Sequence, residues 1–102
     1  MEVIGKKVII RASRAGVFFG TLVAKNDTPA GVEAELENSR RIWYWRGAAS
    51  LSQLATEGTK DPNNCKFTVV VPQHIVTQVI EIIPCTDEAI KSIEGVKVWK
   101  NK

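Results

Sequence analysis

The chain has 102 residues, of which 44% are hydrophobic and 25% charged, with a net charge of +3 and a pI near 9.0. Those values exclude a disordered chain and predict a single globular domain over 1–102, too small to enclose a deep catalytic cleft in one copy. The basic balance favours anionic partners but lacks the dense Lys/Arg stripe of a dedicated duplex-DNA binder.

In chain order, Lys7–Arg11 and Val17–Ala24 read as two strands joined by a hairpin at Ser13-Arg14-Ala15-Gly16. A loop at Asn26–Gly31 follows. Val32, Ala34 and Leu36 then alternate with Glu33, Glu35 and Glu37, the pattern of a strand with one buried and one wet face. A turn at Asn38-Ser39 leads to a fourth strand, Arg41 to Trp45. Ser50 is an N-cap for a short helix with Leu51, Leu54 and Ala55 on its buried side and Gly58 at its stop. Past a polar loop at Thr59–Asn64, two further strands are expected at Lys66–Val71 and Ile75–Ile83, divided by Pro72. Thr86 caps a last helix that buries Ala89, Ile90 and Ile93, and Val96, Val98 and Trp99 tie the tail to the body. The fold class is α+β: an antiparallel β-sheet or small barrel of about six strands with two short helices.

The residues offer little to catalysis. His74 is the sole histidine, which removes multi-histidine metal sites and weakens acid–base schemes, and its place at a strand entrance reads as structural or exposed. No flanking sequence supports Cys65 and His74 as a thiol–imidazole pair, and Gly16 and Gly20 form neither a phosphate loop nor a dinucleotide fingerprint. The expectation is a protein that is not an enzyme and needs no metal or cofactor. Neither a secretory leader nor an apolar run of roughly 20 residues is present, so no membrane is expected as a partner and Cys65 and Cys85 read as reduced cytoplasmic thiols.

The informative segment is Arg40-Arg41-Ile42-Trp43-Tyr44-Trp45-Arg46. It holds two of the 3 tryptophans and the 1 tyrosine among arginines. Aromatic faces stack on bases, and guanidinium forks take phosphates in bidentate pairs. Strand alternation sends Arg41, Trp43 and Trp45 one way and Ile42, Tyr44 and Arg46 the other, so at most one face meets a ligand. The remainder is core or subunit contact. Downstream, Ser50, Ser52 and Gln53 offer donors at a helix start. Upstream, one of Phe18 and Phe19 is expected in the core and the other at an interface or stacked on a ligand, with Arg14 within reach of it. The candidate ligand-binding set is therefore Arg14, Phe18, Phe19, Arg40, Arg41, Trp43, Tyr44, Trp45, Arg46, Ser50, Ser52 and Gln53.

The segments Ala15–Gly20, Arg40–Trp45, Gly47–Ala55 and Glu81–Thr86 together resemble a family of small proteins encoded by phages and prophages, over nearly the whole chain. In size and in aromatic–arginine content the chain is also similar to phage anti-defence sponges. These are oligomers that sequester nucleotide immune signals such as cyclic ADP-ribose isomers in Thoeris defence or cyclic oligonucleotides in CBASS. That likeness implies a homo-oligomer in the host cytoplasm that binds a small cyclic nucleotide without cleaving it, in pockets between protomers. Two alternatives stay open: a single-stranded nucleic-acid binder using the same basic aromatic strand, and a phage accessory protein whose cluster is an oligomer interface.

Overall fold

The computed structural model describes residues 2–101. Its α+β fold has five antiparallel strands and two α-helices: β1 (Lys7–Ala12), β2 (Gly16–Thr28), β3 (Gly31–Tyr44), α1 (Leu51–Glu57), β4 (Lys66–Phe67), β5 (Val71–Pro84) and α2 (Asp87–Glu94). The hydrogen-bonded order is β2-β1-β5-β3-β4, and β2 also pairs with β3. The first three strands and β5 thus curl into a partly closed ring, with β4 attached outside it.

The count is five rather than six because the expected turn at Asn38-Ser39 is a bulge inside one long strand. Phe19 pairs with Arg40 and Thr21 with Glu37, so Asn38 and Ser39 together oppose Gly20. Asn38 takes φ 52 there, a left-handed conformation that asparagine tolerates better than most residues. Gly20 suits the facing strand, since a Cβ there would press on the Ser39 Cα at 3.1 Å. Likewise, Pro72 does not divide two strands; it stands at the second position of β5, and the segment before it keeps only the two residues of β4.

Curling gives the sheet two apolar sides. Inside the ring, Val8, Ile10, Phe18, Leu22, Ala34, Leu36, Val76 and Val79 form one cluster. Outside it, Ile9, Phe19, Ile42 and Phe67 pack beneath Leu54 and Ala55 of α1 and Ala89 and Ile93 of α2. Phe18 and Phe19 are both buried, each on its own side, which corrects the expectation of one ring at an interface or stacked on a ligand. Alternation along β2 predicts opposite faces, and the helices cover the second. Full burial of a side chain such as Leu54 or Ile93 stabilises by roughly 1.5–3 kcal/mol.

Both helices begin as their caps predict. Ser50 accepts from the Gln53 N–H, and Thr86 accepts from the Ala89 N–H. Thr86 also donates its hydroxyl to the Thr56 carbonyl (2.6 Å), joining the start of α2 to the end of α1. Gly58 ends α1 with φ 79, and a Cβ there would meet the Ser92 side chain at 2.3 Å.

Arg40 is the one fully buried charged side chain among the described residues. Its Nε donates to the Thr68 carbonyl (3.0 Å), Nη1 to Ile93 (3.1 Å) and Nη2 to Phe67 (3.2 Å). The guanidinium also stacks over the Phe67 ring at 5.5 Å. One side chain thereby ties β3 to β4, to the segment after it and to the C-terminal end of α2, whose dipole favours a cation. Burial lowers the Arg40 pKa from its ordinary value. Arg40→Met is expected to lower unfolding free energy in urea by about 3 kcal/mol, because it strands carbonyls that the guanidinium satisfied. Arg40→Lys should recover only part of the loss. A change below about 0.5 kcal/mol in the methionine variant would show that the fold does not depend on this group.

Candidate functional site

The aromatic cluster is sorted by a second bulge. Ile42 pairs with Phe67 and Tyr44 with Lys66, so Trp43 is the extra residue on β3. Ile42 and Trp45 therefore both turn to the core under the helices, and Trp45 donates its Nε1–H to the Ala48 carbonyl at 3.2 Å. Trp43 and Tyr44 both reach solvent, 63% and 45% exposed. Strict alternation had grouped Trp43 with Trp45; the bulge regroups them and withdraws Trp45 from the candidate set.

Trp99 completes the surface. Its backbone N–H donates to the Phe67 carbonyl (2.9 Å), and Val98 bridges Phe67 in parallel, so the tail lies along the free side of β4. The Trp99 ring is parallel to Trp43 within 7°, with centroids 6.4 Å apart. Near-parallel planes at that distance leave most of each face uncovered, and Trp99 is 46% exposed. Lys66 Nζ stands over two rings of the group, 5.5 Å from the Trp99 centroid and 6.0 Å from that of Tyr44. Both distances are within cation–π range.

Three shallow concavities of about 290, 430 and 430 Å³ meet at Trp99. Their walls include Tyr44, Arg46, Lys66, Lys97 and Lys100, with Asn63 and Asn64 supplying amides. Arg46 lies 3.8 Å from an Asp61 carboxylate oxygen, a long and exposed pair. The other ion pairs among the described residues are Lys7 with Glu94 and Arg11 with Glu81, which leaves Lys66, Lys97 and Lys100 without a carboxylate partner there. The arrangement offers stacking faces beside three lysines, Lys66, Lys97 and Lys100, that have no carboxylate partner among the described residues.

The structure brings Trp43, Tyr44 and Arg46 of the expected set together and disperses the others. Arg40, Phe18 and Phe19 are buried, and Trp45 is half-buried against the helix-covered core. Arg14 sits in the β1–β2 turn. Ser50 and Gln53 are engaged in their own cap, since the Gln53 side-chain oxygen takes the Ala49 N–H at 2.7 Å. Ser52 is exposed on α1, where its carbonyl accepts from Thr56. Reasoning from sequence assigned Trp99 only to the tail contact and missed its part in the surface. The Lys97-Val98-Trp99-Lys100 pattern carried the signal, an aromatic residue framed by lysines.

Arg41 belongs to a different group at the mouth of the ring. Its guanidinium lies 4.8 Å over the Phe18 ring, and His74 meets Phe18 edge-on at 4.9 Å. His74 Nδ1 is 3.0 Å from the Ser39 hydroxyl. Cys65 is elsewhere, against Thr59 and the Arg46 backbone, so it does not pair with the imidazole. The two cysteines are free thiols; burial raises Cys85 to about 11, which keeps it protonated at neutral pH.

The chain belongs to a family described as a domain of unknown function, DUF6948. The family model matches residues 5–93, from the turn before β1 to the last turn of α2. Neither a curated protein nor a solved structure matches the chain. The matched region ends before Trp99, so the DUF6948 core contributes Trp43, Tyr44 and Lys66 to the surface and the segment after it contributes the facing indole.

Burial and the Arg41 charge, in that order, lower the His74 pKa from its ordinary 6.5. The folded state therefore favours the neutral ring, and its contribution to stability is complete above about pH 6.5. It is lost as pH falls from there through the folded value, because the unfolded chain binds the proton first. His74→Gln should flatten that part of the stability–pH curve measured by urea unfolding. An unchanged difference between wild type and variant from pH 7.5 to 5 would contradict the assignment.

Proposed function

We propose that the chain captures a nucleotide ligand on the Trp43–Tyr44–Trp99 surface and releases it chemically unchanged. The observation that carries the reading is the parallel pair of exposed indoles beside Lys66, Lys97 and Lys100, which have no carboxylate partner among the described residues. Bases stack on such faces at about 1–3 kcal/mol each, and phosphates replace the missing counter-charges. The resemblance to phage proteins supports a small cyclic nucleotide signal as the ligand, sequestered in the host cytoplasm by a homo-oligomer. Shallow concavities also support that picture, since a second copy would be needed to enclose the ligand. No helix among the described residues is long and apolar enough to cross a membrane.

One observation favours a second reading. Three separate concavities share Trp99 in their linings, which suits successive nucleotides of an extended strand. In that reading the same residues form a platform for single-stranded nucleic acid.

A thermal-shift panel of cyclic mono-, di- and trinucleotides and cyclic ADP-ribose isomers tests the first reading. One ligand class should raise Tm, and heat denaturation should return that ligand intact. Trp43→Ala or Trp99→Ala should weaken binding by about tenfold or more without unfolding the chain. Recovery of a cleaved ligand would make the protein an enzyme. A flat panel together with salt-sensitive retardation of an oligonucleotide would transfer the assignment to the second reading.

A further inference from the structure

β5 is paired on different sides along its two halves. Val79–Pro84 lies against β1, and Val71–Val79 lies against β3. On the β1 side the ladder ends at Val79 opposite Ala12, and the last backbone bond there runs from the Ser13 N–H to the Gln78 carbonyl at 2.9 Å. From Gln73 to Thr77 that edge has no neighbouring strand among the described residues. A row of unpaired backbone donors and acceptors is a template for another strand.

Proteins usually guard such edges with charges, prolines or bulges. Here the guards stand only at the two ends. Pro72 lacks an N–H at one, and Gln78 kinks the strand with φ 56 at the other. Between them, Gln73-His74-Ile75-Val76-Thr77 contains no lysine, arginine, aspartate or glutamate. Its midpoint, Ile75, is 65% exposed.

We propose that this edge pairs antiparallel with the same edge of a second copy, about a two-fold axis at Ile75. The stretch is bounded at equal distances on either side of Ile75, so an antiparallel copy meets it in register with both guards at the ends. Two molecules of net charge +3 repel overall, and this neutral edge lets them meet where no like charges face across the strands. Self-pairing of one edge is isologous and stops at a dimer, whereas a head-to-tail contact would continue. The pairing joins two β3–β5 sheets into one and places the Ile75 side chains beside each other. It stands independently of the ligand reading.

Size-exclusion chromatography with light scattering tests it on the intact chain. Wild type should be a dimer that dissociates on dilution. Ile75→Lys should be a folded monomer, with circular dichroism and Tm close to wild type. Ile80→Lys, a comparably exposed position on the half of β5 that β1 already covers, should remain dimeric. Ile75→Cys should cross-link across the axis under mild oxidation, because facing residues in an antiparallel pair lie about 4.5–5.5 Å apart at Cα, within disulfide reach. Wild type should not cross-link under the same conditions. A wild-type monomer at millimolar concentration would overturn the proposal. So would a dimer that survives Ile75→Lys, which would place the interface elsewhere, foremost at the aromatic surface.

Discussion

The Arg40 guanidinium is the contact on which the arrangement of the surface rests. It is a buried cation whose hydrogen bonds all go to carbonyl oxygens, one of them at the end of α2. The Phe67 carbonyl accepts from Arg40 Nη2 and also from the Trp99 N–H. A single oxygen therefore links the buried charge to the backbone of an exposed indole. Arg40 holds β4 in place, β4 holds the tail, and the tail sets Trp99 parallel to Trp43. An arginine that resembles a ligand contact in sequence acts instead as the support of the residues that face solvent.

Two bulges in β3 do the sorting. The first, opposite Gly20, lets a strand that lines the ring with Ala34 and Leu36 continue past it, so that Arg40 and Ile42 reach the helix-covered side. The second, at Trp43, turns a run of aromatic residues into two exposed rings and one half-buried ring packed against the core. Without the second bulge, Trp43 and Tyr44 would fall on opposite faces, and Trp45 would follow Trp43 into solvent. Stacking surface and core are thereby drawn from adjacent residues.

Much of this was legible in the residues themselves. Alternation of Val32, Ala34 and Leu36 with glutamates, the caps at Ser50 and Thr86 and the stop at Gly58 each follow from short-range physics, and each holds in the fold. The bulges were not legible, because Asn38-Ser39 has the composition of a turn and bulges like one; the ladders on either side, Phe19 with Arg40 and Thr21 with Glu37, and the pairing of Ser39 with Val71 keep the strand intact. The burial of Phe19 depends on helices contributed from far along the chain. Arg40 could not be told from Arg41 or Arg46, since what distinguishes it is a set of carbonyls supplied by Phe67, Thr68 and Ile93. Trp99 was visible as an aromatic residue between lysines, but its partner lies in β3 and only the β4 contact brings them together.

In the proposed function Trp43 and Trp99 receive the ligand, while Trp45 packs against the core. Tryptophan indole N–H signals in a two-dimensional NMR spectrum test it directly, with one resonance for each of the 3 tryptophans. Titration with the nucleotide that raises Tm should shift the Trp43 and Trp99 signals and leave the Trp45 signal, held to the Ala48 carbonyl, in place. Saturable binding that moves Trp45 alone, or none of the three, would rule out the Trp43–Trp99 surface as the ligand site.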